Sequence, residues 1–355
     1  MKLLLTGGGT LGSVTPLLAL YDEMRPEKVF WIGTRKGIEK EFIERAGIPF
    51  YAITAGKLRR YVDWRNLFSP IETILGFFQA LFLLQKLQPT HVFSAGGYVA
   101  VPVVFAAAFL GIPSYGIQLD VRPGLANRCI APFVKKMFVV FSETARFFSA
   151  SKSVVTGSMI RKSIRTVSLK TEQKKPPPLA GSRPKAGEAH PMLLVLGGGT
   201  GALSLNELVW QSLRQLTDFC DVVHITGPGK FRHISLPHYE SYSLVKDALP
   251  ALLRNADCVV TRAGMGTLSE LAAMRKAAIV VPLPNTHQEE NAALLAFHDA
   301  AVVVAQHTLT SNKLVDTVRI LLVDSERCRV LGEKLYQCIP TDGVEKISQF
   351  LILNS

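Results

Sequence analysis

The stretch that decides the fold is residues 257–292, which read DCVVTRAGMGTLSELAAMRKAAIVVPLPNTHQEENA. Residues 258–261 form a short, mostly β-branched run, which is typical of a buried parallel strand. Two glycines follow, and good helix formers take over from Thr267. A second apolar strand at 277–281 then ends at a proline. The pattern predicts strand, glycine turn, helix, strand and polar loop, which is one unit of an open α/β sheet.

The glycine turn at Gly264 falls between the carboxyl end of a strand and the start of a helix. Free N–H groups and the helix dipole favour an anionic ligand there. Glu270 then has two interpretations. A carboxylate in the first helical turn interacts favourably with the dipole. Alternatively, it accepts hydrogen bonds from vicinal sugar hydroxyls while the turn faces a phosphate, as the acidic residue of dinucleotide sites does.

The segment His287 to Asn291 follows the second strand and is rich in uncharged donors and acceptors. Such a loop suits the recognition of sugar hydroxyls. The alternative is that it caps the helix expected at 291–297. Together with the turn at Gly264, the segment predicts a site for a sugar that carries a phosphate.

Bulk composition narrows the class of protein. A chain of 355 residues with 48% hydrophobic and 19% charged residues is a globular protein long enough for two domains. The net charge of +12 indicates an acidic partner: nucleic acid, an anionic membrane surface or a phosphorylated substrate. Five scattered cysteines have no metal-ligand or redox spacing, which favours a reducing, cytosolic compartment.

Membrane association is expected to be peripheral. No secretory signal is evident, and no apolar run reaches the ~20 residues that a transmembrane helix requires. A basic cluster, Lys57, Arg59, Arg60 and Arg65, precedes a predicted helix at 71–87 that is rich in phenylalanine and leucine. This helix either belongs to the core or lies on an anionic membrane, and the basic run favours the second interpretation.

The order of elements predicts an α/β protein with two Rossmann-like domains facing across a cleft. Residues 1–53 read as βαβαβ with a GGGT loop after the first strand, and residues 192–201 restate that opening. We expect domains at 1–165 and 192–340, a proline-rich linker at 166–191, and a last helix at 341–355 that packs back on the first domain.

The motifs exclude several chemistries. The GGGT runs are not followed by the residues of a P-loop, and no serine-hydrolase elbow or zinc spacing occurs. An aromatic and basic RNA-binding pattern is likewise missing, so no nucleic-acid partner is expected. The motifs favour a sugar nucleotide between two domains. No metal or cofactor is expected, since helix N-termini can stabilise a departing diphosphate.

These motifs resemble the MurG family of peptidoglycan glycosyltransferases, which have the two-domain GT-B fold, and the similarity extends over nearly the whole chain. The segments that carry the resemblance are Gly7–Pro16, Gly96–Val99, Gly157–Arg161, Gly197–Asn206, Arg262–Glu270 and His287–Ala292. The last two are the most specific. The resemblance implies an inverting transfer of N-acetylglucosamine from UDP-GlcNAc to lipid I. The product would be lipid II, made by a peripheral enzyme at the cytoplasmic face of the inner membrane.

The resemblance also implies roles for individual residues. Glu270 would bind the ribose, Gln288 the sugar hydroxyls, and the backbone of Lys246 the uracil. The implied donor-binding set is Arg161, Gly199, Thr200, Gly201, Lys246, Gly264, Glu270, His287, Gln288 and Asn291. The implied set for the acceptor diphosphate is Gly9, Thr10, Gly12, Gly96, Gly97 and Tyr98.

The acceptor half departs from the family pattern. Ser13 stands where the family has a histidine, its presumed base, and residues 117–120 read IQLD instead of HEQN. We therefore expect Asp120 to act as the general base, with Ser13 assisting. Two alternatives remain: a transferase of this fold with another lipid or glycan acceptor, and a protein that binds UDP-sugar but has lost its catalytic activity.

Overall fold

The computed structural model describes residues 1–9, 11–35, 37, 39–57, 68–169, 190–199, 201–245 and 248–353. The chain divides into two compact units, residues 1–161 with 342–355, and residues 162–341. The domain boundary predicted at residue 165 falls inside a helix, Lys162–Leu169, that belongs to the second unit. Most of the predicted linker, residues 170–189, lies outside the described residues.

The first unit contains a parallel sheet of seven strands in the order β3-β2-β1-β4-β5-β6-β7. The inner strands are almost entirely buried, as expected for a sheet covered on both faces. The strands are β1 (Lys2–Thr6), β2 (Lys28–Thr34), β3 (Phe50–Ile53), β4 (His91–Ser94), β5 (Ser114–Gln118), β6 (Lys136–Val139) and β7 (Ser153–Val155).

Helices cover this sheet. They are α1 (Thr15–Met24), α2 (Glu39–Arg45), α3 (Ser69–Leu87), α4 (Ala100–Phe109), α5 (Leu125–Ile130) and α6 (Ser142–Ala145). A helix from the far end of the chain, Gly343–Leu353, packs against α1 and places Val344, Ile347 and Leu351 in the same core as Leu3 and Leu5. The core of the first unit is thus built from both ends of the chain.

Helix α3 has one packed face and one exposed face. Its packed side approaches the backbone so closely that a Cβ on Gly76 would lie 2.0 Å from the carbonyl oxygen of Thr54. The opposite side exposes a stripe of large apolar side chains: Ile71, Ile74, Leu75, Phe78 and Phe82. Among the described residues, no helix is long and apolar enough to cross a membrane. The arginines of the predicted basic cluster lie outside the described residues.

The second unit contains a parallel sheet of six strands in the order β10-β9-β8-β11-β12-β13. The strands are β8 (Met192–Leu196), β9 (Asp221–Ile225), β10 (Tyr239–Tyr242), β11 (Cys258–Thr261), β12 (Ala278–Val280) and β13 (Val302–Val303). The helices are α7 (Lys162–Leu169), α8 (Leu203–Thr217), α9 (Leu249–Asn255), α10 (Met265–Ala273), α11 (Gln288–Phe297), α12 (Ser311–Val323) and α13 (Ser325–Cys338), and the last helix of the chain is α14.

Most elements lie within a few residues of their predicted positions, with one clear exception. The sequence predicts a strand at 242–245, whereas β10 ends at Tyr242. The structure pairs Tyr239 to Tyr242 with β9 because Tyr239 is buried in the core, next to His224. The apolar pair Leu244-Val245 favours a strand at 242–245 when only the local sequence is considered. In the structure, the packing of Tyr239 against distant residues places the strand at Tyr239–Tyr242 instead.

Candidate active site

Both sheets change winding direction at their first strand. In the first unit β2 and β3 lie on one side of β1, and β4 to β7 on the other. In the second unit β9 and β10 lie on one side of β8, and β11 to β13 on the other. Open parallel sheets bind ligands beyond the carboxyl ends of their strands at such a switch point. The glycine-rich segments after β1, β4, β8 and β11 all begin at these two points.

The two glycine loops of the first unit touch each other. Gly97 has a φ of +84°, and a Cβ built on it would lie 2.5 Å from the carbonyl oxygen of Gly8. Tyr98 packs over the first loop, because a Cβ on Gly9 would lie 3.2 Å from its ring. The structure therefore brings together Gly9, Gly97 and Tyr98 of the predicted acceptor set. Thr10 lies outside the described residues.

Glu39, the first residue of α2, is a buried carboxylate that contacts the first of these loops and that the sequence does not predict. It is fully buried and accepts hydrogen bonds from the backbone N–H of Thr34 at 2.9 Å, from the Thr34 hydroxyl at 2.5 Å and from the Gly9 N–H at 3.3 Å. One amide donor of the glycine loop is therefore used by the protein itself. Because its partners precede it by 5 and 30 residues, no local motif signals this role.

Asp120, the predicted base, lies two residues beyond the end of β5. Its carbonyl oxygen accepts a hydrogen bond of 2.8 Å from Nε2 of Gln118. Gln118 is in turn held by Asn127, whose Nδ2 donates to Oε1 of Gln118 at 2.6 Å and to the carbonyl of Ile117 at 2.9 Å. This buried pair fixes the backbone that presents Asp120. Asn127 is a positioning residue that the sequence does not reveal, because its partners lie 9 and 10 residues away.

Ser13, the predicted assistant, is only 7% exposed, whereas Asp120 is partly exposed. The hydroxyl of Ser13 lies in a short 3-10 turn, Leu11–Ser13, at the end of the first glycine loop. Asp120 is therefore the better placed of the two to meet a substrate.

In the second unit the glycine loop after β8 rests on the end of β9. Gly201 has a φ of +71°, and a Cβ there would lie 2.1 Å from the carbonyl oxygen of Thr226. That carbonyl accepts a 2.8 Å hydrogen bond from Nδ2 of Asn206, a fully buried residue in α8. Glycine is thus required at position 201. Gly199 is exposed at the tip of the loop, and Thr200 lies outside the described residues.

Asn206 is itself fixed by a buried histidine. Nε2 of His224 lies 3.0 Å from Oδ1 of Asn206, and Nδ1 lies 3.2 Å from the hydroxyl of Tyr239. Burial lowers the pKa of His224 to about 4, so the ring is neutral at pH 7. A neutral ring that donates from Nε2 and accepts at Nδ1 satisfies both contacts. No pattern in the sequence predicts this support for the loop.

Helix α10 starts at Met265, two residues before the predicted start. Glu270 is therefore the sixth helical residue and lies in the second turn, not in the first turn as predicted. The influence of the helix dipole falls off within the first turn, which weakens the dipole interpretation of Glu270. Glu270 is 7% exposed.

The N-terminus of α10 is open to a ligand, because a Cβ on Gly264 or on Gly266 would meet no atom within 4 Å.

The residues from Gln288 to Asn291 are helical instead of forming the predicted loop, since α11 begins at Gln288 and His287 is its N-cap. Asn291 is 1% exposed, and its Nδ2 donates to the carbonyl of Ala263 at 3.0 Å. This residue holds the glycine turn and does not face outward as the sequence analysis expects. Gln288 and His287 are partly exposed at the start of the helix, and Oε1 of Gln288 accepts from the Leu283 N–H at 3.0 Å.

The structure does not group two other members of the predicted donor set, Lys246 and Arg161, with the rest. Lys246 lies outside the described residues. Arg161 is the last residue of the first unit before α7, whereas the described remainder of the set belongs to the second unit. The structure therefore brings Gly264, Glu270, Asn291 and Gln288 to the ends of neighbouring strands in one unit.

Arg262 ties the donor turn to three other segments. Its NH2 group donates to the Ser204 hydroxyl at 2.8 Å and to Oε1 of Gln306 at 2.7 Å, and its NH1 group donates to the carbonyl of Val281 at 3.0 Å. The side chain is buried, and burial lowers its pKa. Arg262 was recognised as part of the motif, but its structural role depends on residues distant in sequence.

We expect Arg262→Lys to destabilise the second unit by about 1 to 2 kcal/mol, because lysine cannot reproduce the planar, multiple donation of a guanidinium. Urea unfolding followed by circular dichroism measures the change. The matched control is Arg329→Lys, which alters an exposed pair with Glu326 and should leave the midpoint unchanged. Equal midpoints for the two variants would contradict the role given to Arg262.

Paired Rossmann-like sheets with glycine loops at their switch points define the class of GT-B glycosyltransferases. The sequence profile of the glycosyltransferase family 28 N-terminal domain matches residues 3–139, and that of the C-terminal domain matches residues 192–334. The chain belongs to glycosyltransferase family 28.

The names of similar proteins are consistent with this family. The chain is 35% identical over 328 residues to a protein of Clostridium kluyveri, which covers 90% of this chain and 91% of the relative. It is 34% identical to a protein of Geobacillus thermodenitrificans over 94% of each chain. Both relatives are named UDP-N-acetylglucosamine--N-acetylmuramyl-(pentapeptide) pyrophosphoryl-undecaprenol N-acetylglucosamine transferase.

Solved structures show the same fold. MurG of Acinetobacter baumannii superposes with a TM-score of 0.74 at 26% identity, covering 100% of this chain and 99% of that one. The glycotransferase of kitacinnamycin gives a TM-score of 0.72 at 17% identity over 99% of this chain and 98% of that one, and its likeness concerns the fold alone.

Proposed function

We propose that this protein transfers N-acetylglucosamine from UDP-GlcNAc to lipid I, the undecaprenyl diphosphate that carries N-acetylmuramyl-pentapeptide, and so makes lipid II for peptidoglycan. The observation that carries the proposal is identity of 34–36% with enzymes of that name over 90% or more of the chain. The switch-point loops of both units support it, because a diphosphate is the ligand such loops accommodate.

The second unit supplies the donor contacts. The open N-terminus of α10 and the loop before α8 offer backbone N–H groups to the diphosphate. Glu270 accepts hydrogen bonds from the ribose hydroxyls, and Gln288 faces the transferred sugar. Asn291, Asn206 and Arg262 hold these segments through buried hydrogen bonds. These buried contacts hold in place the backbone that binds the diphosphate.

The first unit supplies the acceptor contacts and the base. A hydroxyl of the muramyl sugar attacks C1 of N-acetylglucosamine and forms the new glycosidic bond. The bond from C1 to the diphosphate oxygen breaks with inversion, and UDP leaves with that electron pair. Asp120 accepts the hydroxyl proton. The N–H groups at the helix N-termini stabilise the charge that develops on the diphosphate.

An assay with radiolabelled UDP-GlcNAc and a lipid I analogue tests the proposal. We expect one equivalent of UDP released for each labelled disaccharide lipid formed. Parallel reactions contain polyprenyl diphosphates that carry other sugars, so product analysis identifies a different acceptor. No transfer to lipid I by protein that binds UDP normally would overturn the proposal and favour a UDP-sugar-binding role.

We also propose that the exposed stripe of α3 docks on the cytoplasmic face of the inner membrane. Its members Ile71, Ile74, Leu75, Phe78 and Phe82 recur at helical spacing, and the side chains of Phe78 and Phe82 are 60% and 65% exposed. Lys57 precedes α3 in the sequence, and Lys86 lies in the last turn of the helix. An apolar stripe on a protein of net charge +12 fits an anionic lipid surface, where the acceptor is embedded.

Replacing Phe78 and Phe82 together by serine should weaken binding to vesicles of anionic phospholipid about 10- to 30-fold, because two partly buried rings are lost. Vesicle co-sedimentation measures the binding. Phe297→Ser is the matched control, since that ring is 82% exposed in the second unit and should not contribute. Turnover of a water-soluble acceptor analogue should be unchanged. A double variant that still binds vesicles as the wild type does would contradict the docking surface.

A further inference from the structure

Three metal-ligating side chains meet at the amino edge of the second sheet, opposite the carboxyl ends that form the donor site. His190 lies just before β8, Asp221 is the first residue of β9, and His238 lies just before β10. These strands are neighbours in the sheet. Their register brings the three positions side by side, although 17 to 31 residues of chain separate consecutive members.

The backbone fixes this convergence. The N–H of Asp221 donates to the carbonyl of Pro191 at 2.9 Å, and the N–H of Val222 donates to the carbonyl of His238 at 2.8 Å. The rings of His190 and His238 stack with their centroids 4.5 Å apart and their planes at 19°. Nδ1 of His238 lies 2.7 Å from Oδ1 of Asp221. One potential ligand atom from each of the three residues lies within 4.8 Å of the others.

An independent feature points to a bound ligand. Nδ1 of His190 is buried and has no hydrogen-bond partner in the described part of the chain. A buried ring nitrogen without a partner costs free energy, which a coordinate bond would offset. His238 also has a φ of 62°, a left-handed conformation that is uncommon outside glycine. The strand pairing holds this conformation and directs the ring toward its two partners.

We propose that His190, Asp221 and His238 bind a divalent transition metal ion, with Zn²⁺ the best match. Two imidazole nitrogens and one carboxylate oxygen are ligands that zinc prefers, at ~2.0–2.2 Å, with water at the remaining position. Mg²⁺ is a poor match, because it favours an octahedral shell of oxygen atoms.

The proposed ion is structural. It would join the starts of three adjacent strands, β8, β9 and β10, and so anchor the chain where it enters the second sheet. Because the three ligands converge only in the folded sheet, metal binding would stabilise the native state. The site lies at the end of the strands away from the donor loops, so glycosyl transfer does not require it.

Titration calorimetry of the full chain, first treated with a chelator, tests the proposal with ZnCl₂ as the probe. We expect one zinc equivalent to bind to wild type, and at least a tenfold loss of affinity in His190→Ala and in His238→Ala. His233→Ala is the matched control, because this exposed histidine lies five residues before His238. Cys129→Ser excludes binding by the exposed thiol. Unchanged zinc affinity in both ligand variants would overturn the proposal.

A second measurement separates metal binding from a folding defect. Zinc should raise the Tm of wild type and of His233→Ala but not that of His190→Ala, and MgCl₂ should raise none of them. UDP affinity should be the same in all variants, which shows that the donor site is intact. Should the alanine variants fail to fold, Co²⁺ added to wild type gives the answer. Visible ligand-field bands that zinc abolishes support the site, and their absence overturns it.

Discussion

Asp120→Asn should lower kcat about 10²- to 10⁴-fold while leaving UDP affinity unchanged. The amide keeps the shape of the side chain but cannot accept the proton of the attacking hydroxyl, and a general base contributes roughly this factor. The backbone at Asp120 is held by Gln118 and Asn127, so the substitution does not displace the loop. Initial rates with the lipid I analogue at saturating donor measure the effect.

The controls for this prediction come from the same loops. Ser13→Ala should have a much smaller effect, since Ser13 is largely buried. Asn127→Ala should lower kcat with little change in UDP affinity, because it acts through the position of Asp120 and not on the substrate. An Asp120→Asn protein with wild-type turnover would exclude Asp120 as the base. If the wild type has lost its catalytic activity, the wild type and all three variants will bind UDP but show no turnover.

Glu270→Gln should weaken UDP binding about 30- to 150-fold, which corresponds to about 2 to 3 kcal/mol. In the proposed donor site the carboxylate accepts hydrogen bonds from two ribose hydroxyls, and hydrogen bonds to a charged acceptor are about twice as strong as neutral ones. The amide group offers only one acceptor oxygen. Calorimetric titration with UDP measures the loss.

A comparison of UDP with 2′-deoxy-UDP sharpens this test. Wild type should prefer UDP, whereas the Glu270→Gln variant should bind the two nucleotides with nearly equal affinity. Glu333→Gln is the control, because it changes a partly exposed carboxylate paired with Arg275 and should keep the wild-type preference for UDP over 2′-deoxy-UDP. If Glu270 only interacted with the helix dipole, its substitution would lower the stability of the protein and leave the preference for UDP over 2′-deoxy-UDP unchanged.

The sequence predicts the sheets well because their strands are short apolar runs bounded by glycine and proline. The repeated GGGT openings at Gly7 and Gly197 indicate two similar units, and parallel order follows from alternation with helices. The starts of helices are predicted less well. Gly266 is a poor helix former, yet α10 includes it because the first turn of the helix packs Met265 into the core.

The candidate site shows a similar division. Glycine loops and Glu270 are visible in the sequence, since their roles depend on local pattern. Glu39, Asn127 and His224 are not visible, because each acts through hydrogen bonds to segments 5 to 30 residues away. The sequence does not reveal the proximity of His190 and His238 for the same reason, since only the register of three strands brings the two side chains together.

The contribution of α14 to the first core bears on how this protein is made. The ribosome completes residues 1–161 before it begins the second unit, and the first core still needs Val344, Ile347 and Leu351. Domains generally fold as they emerge during synthesis. Here the core of the first unit is complete only once α14, which follows the whole second unit in the sequence, has been synthesised.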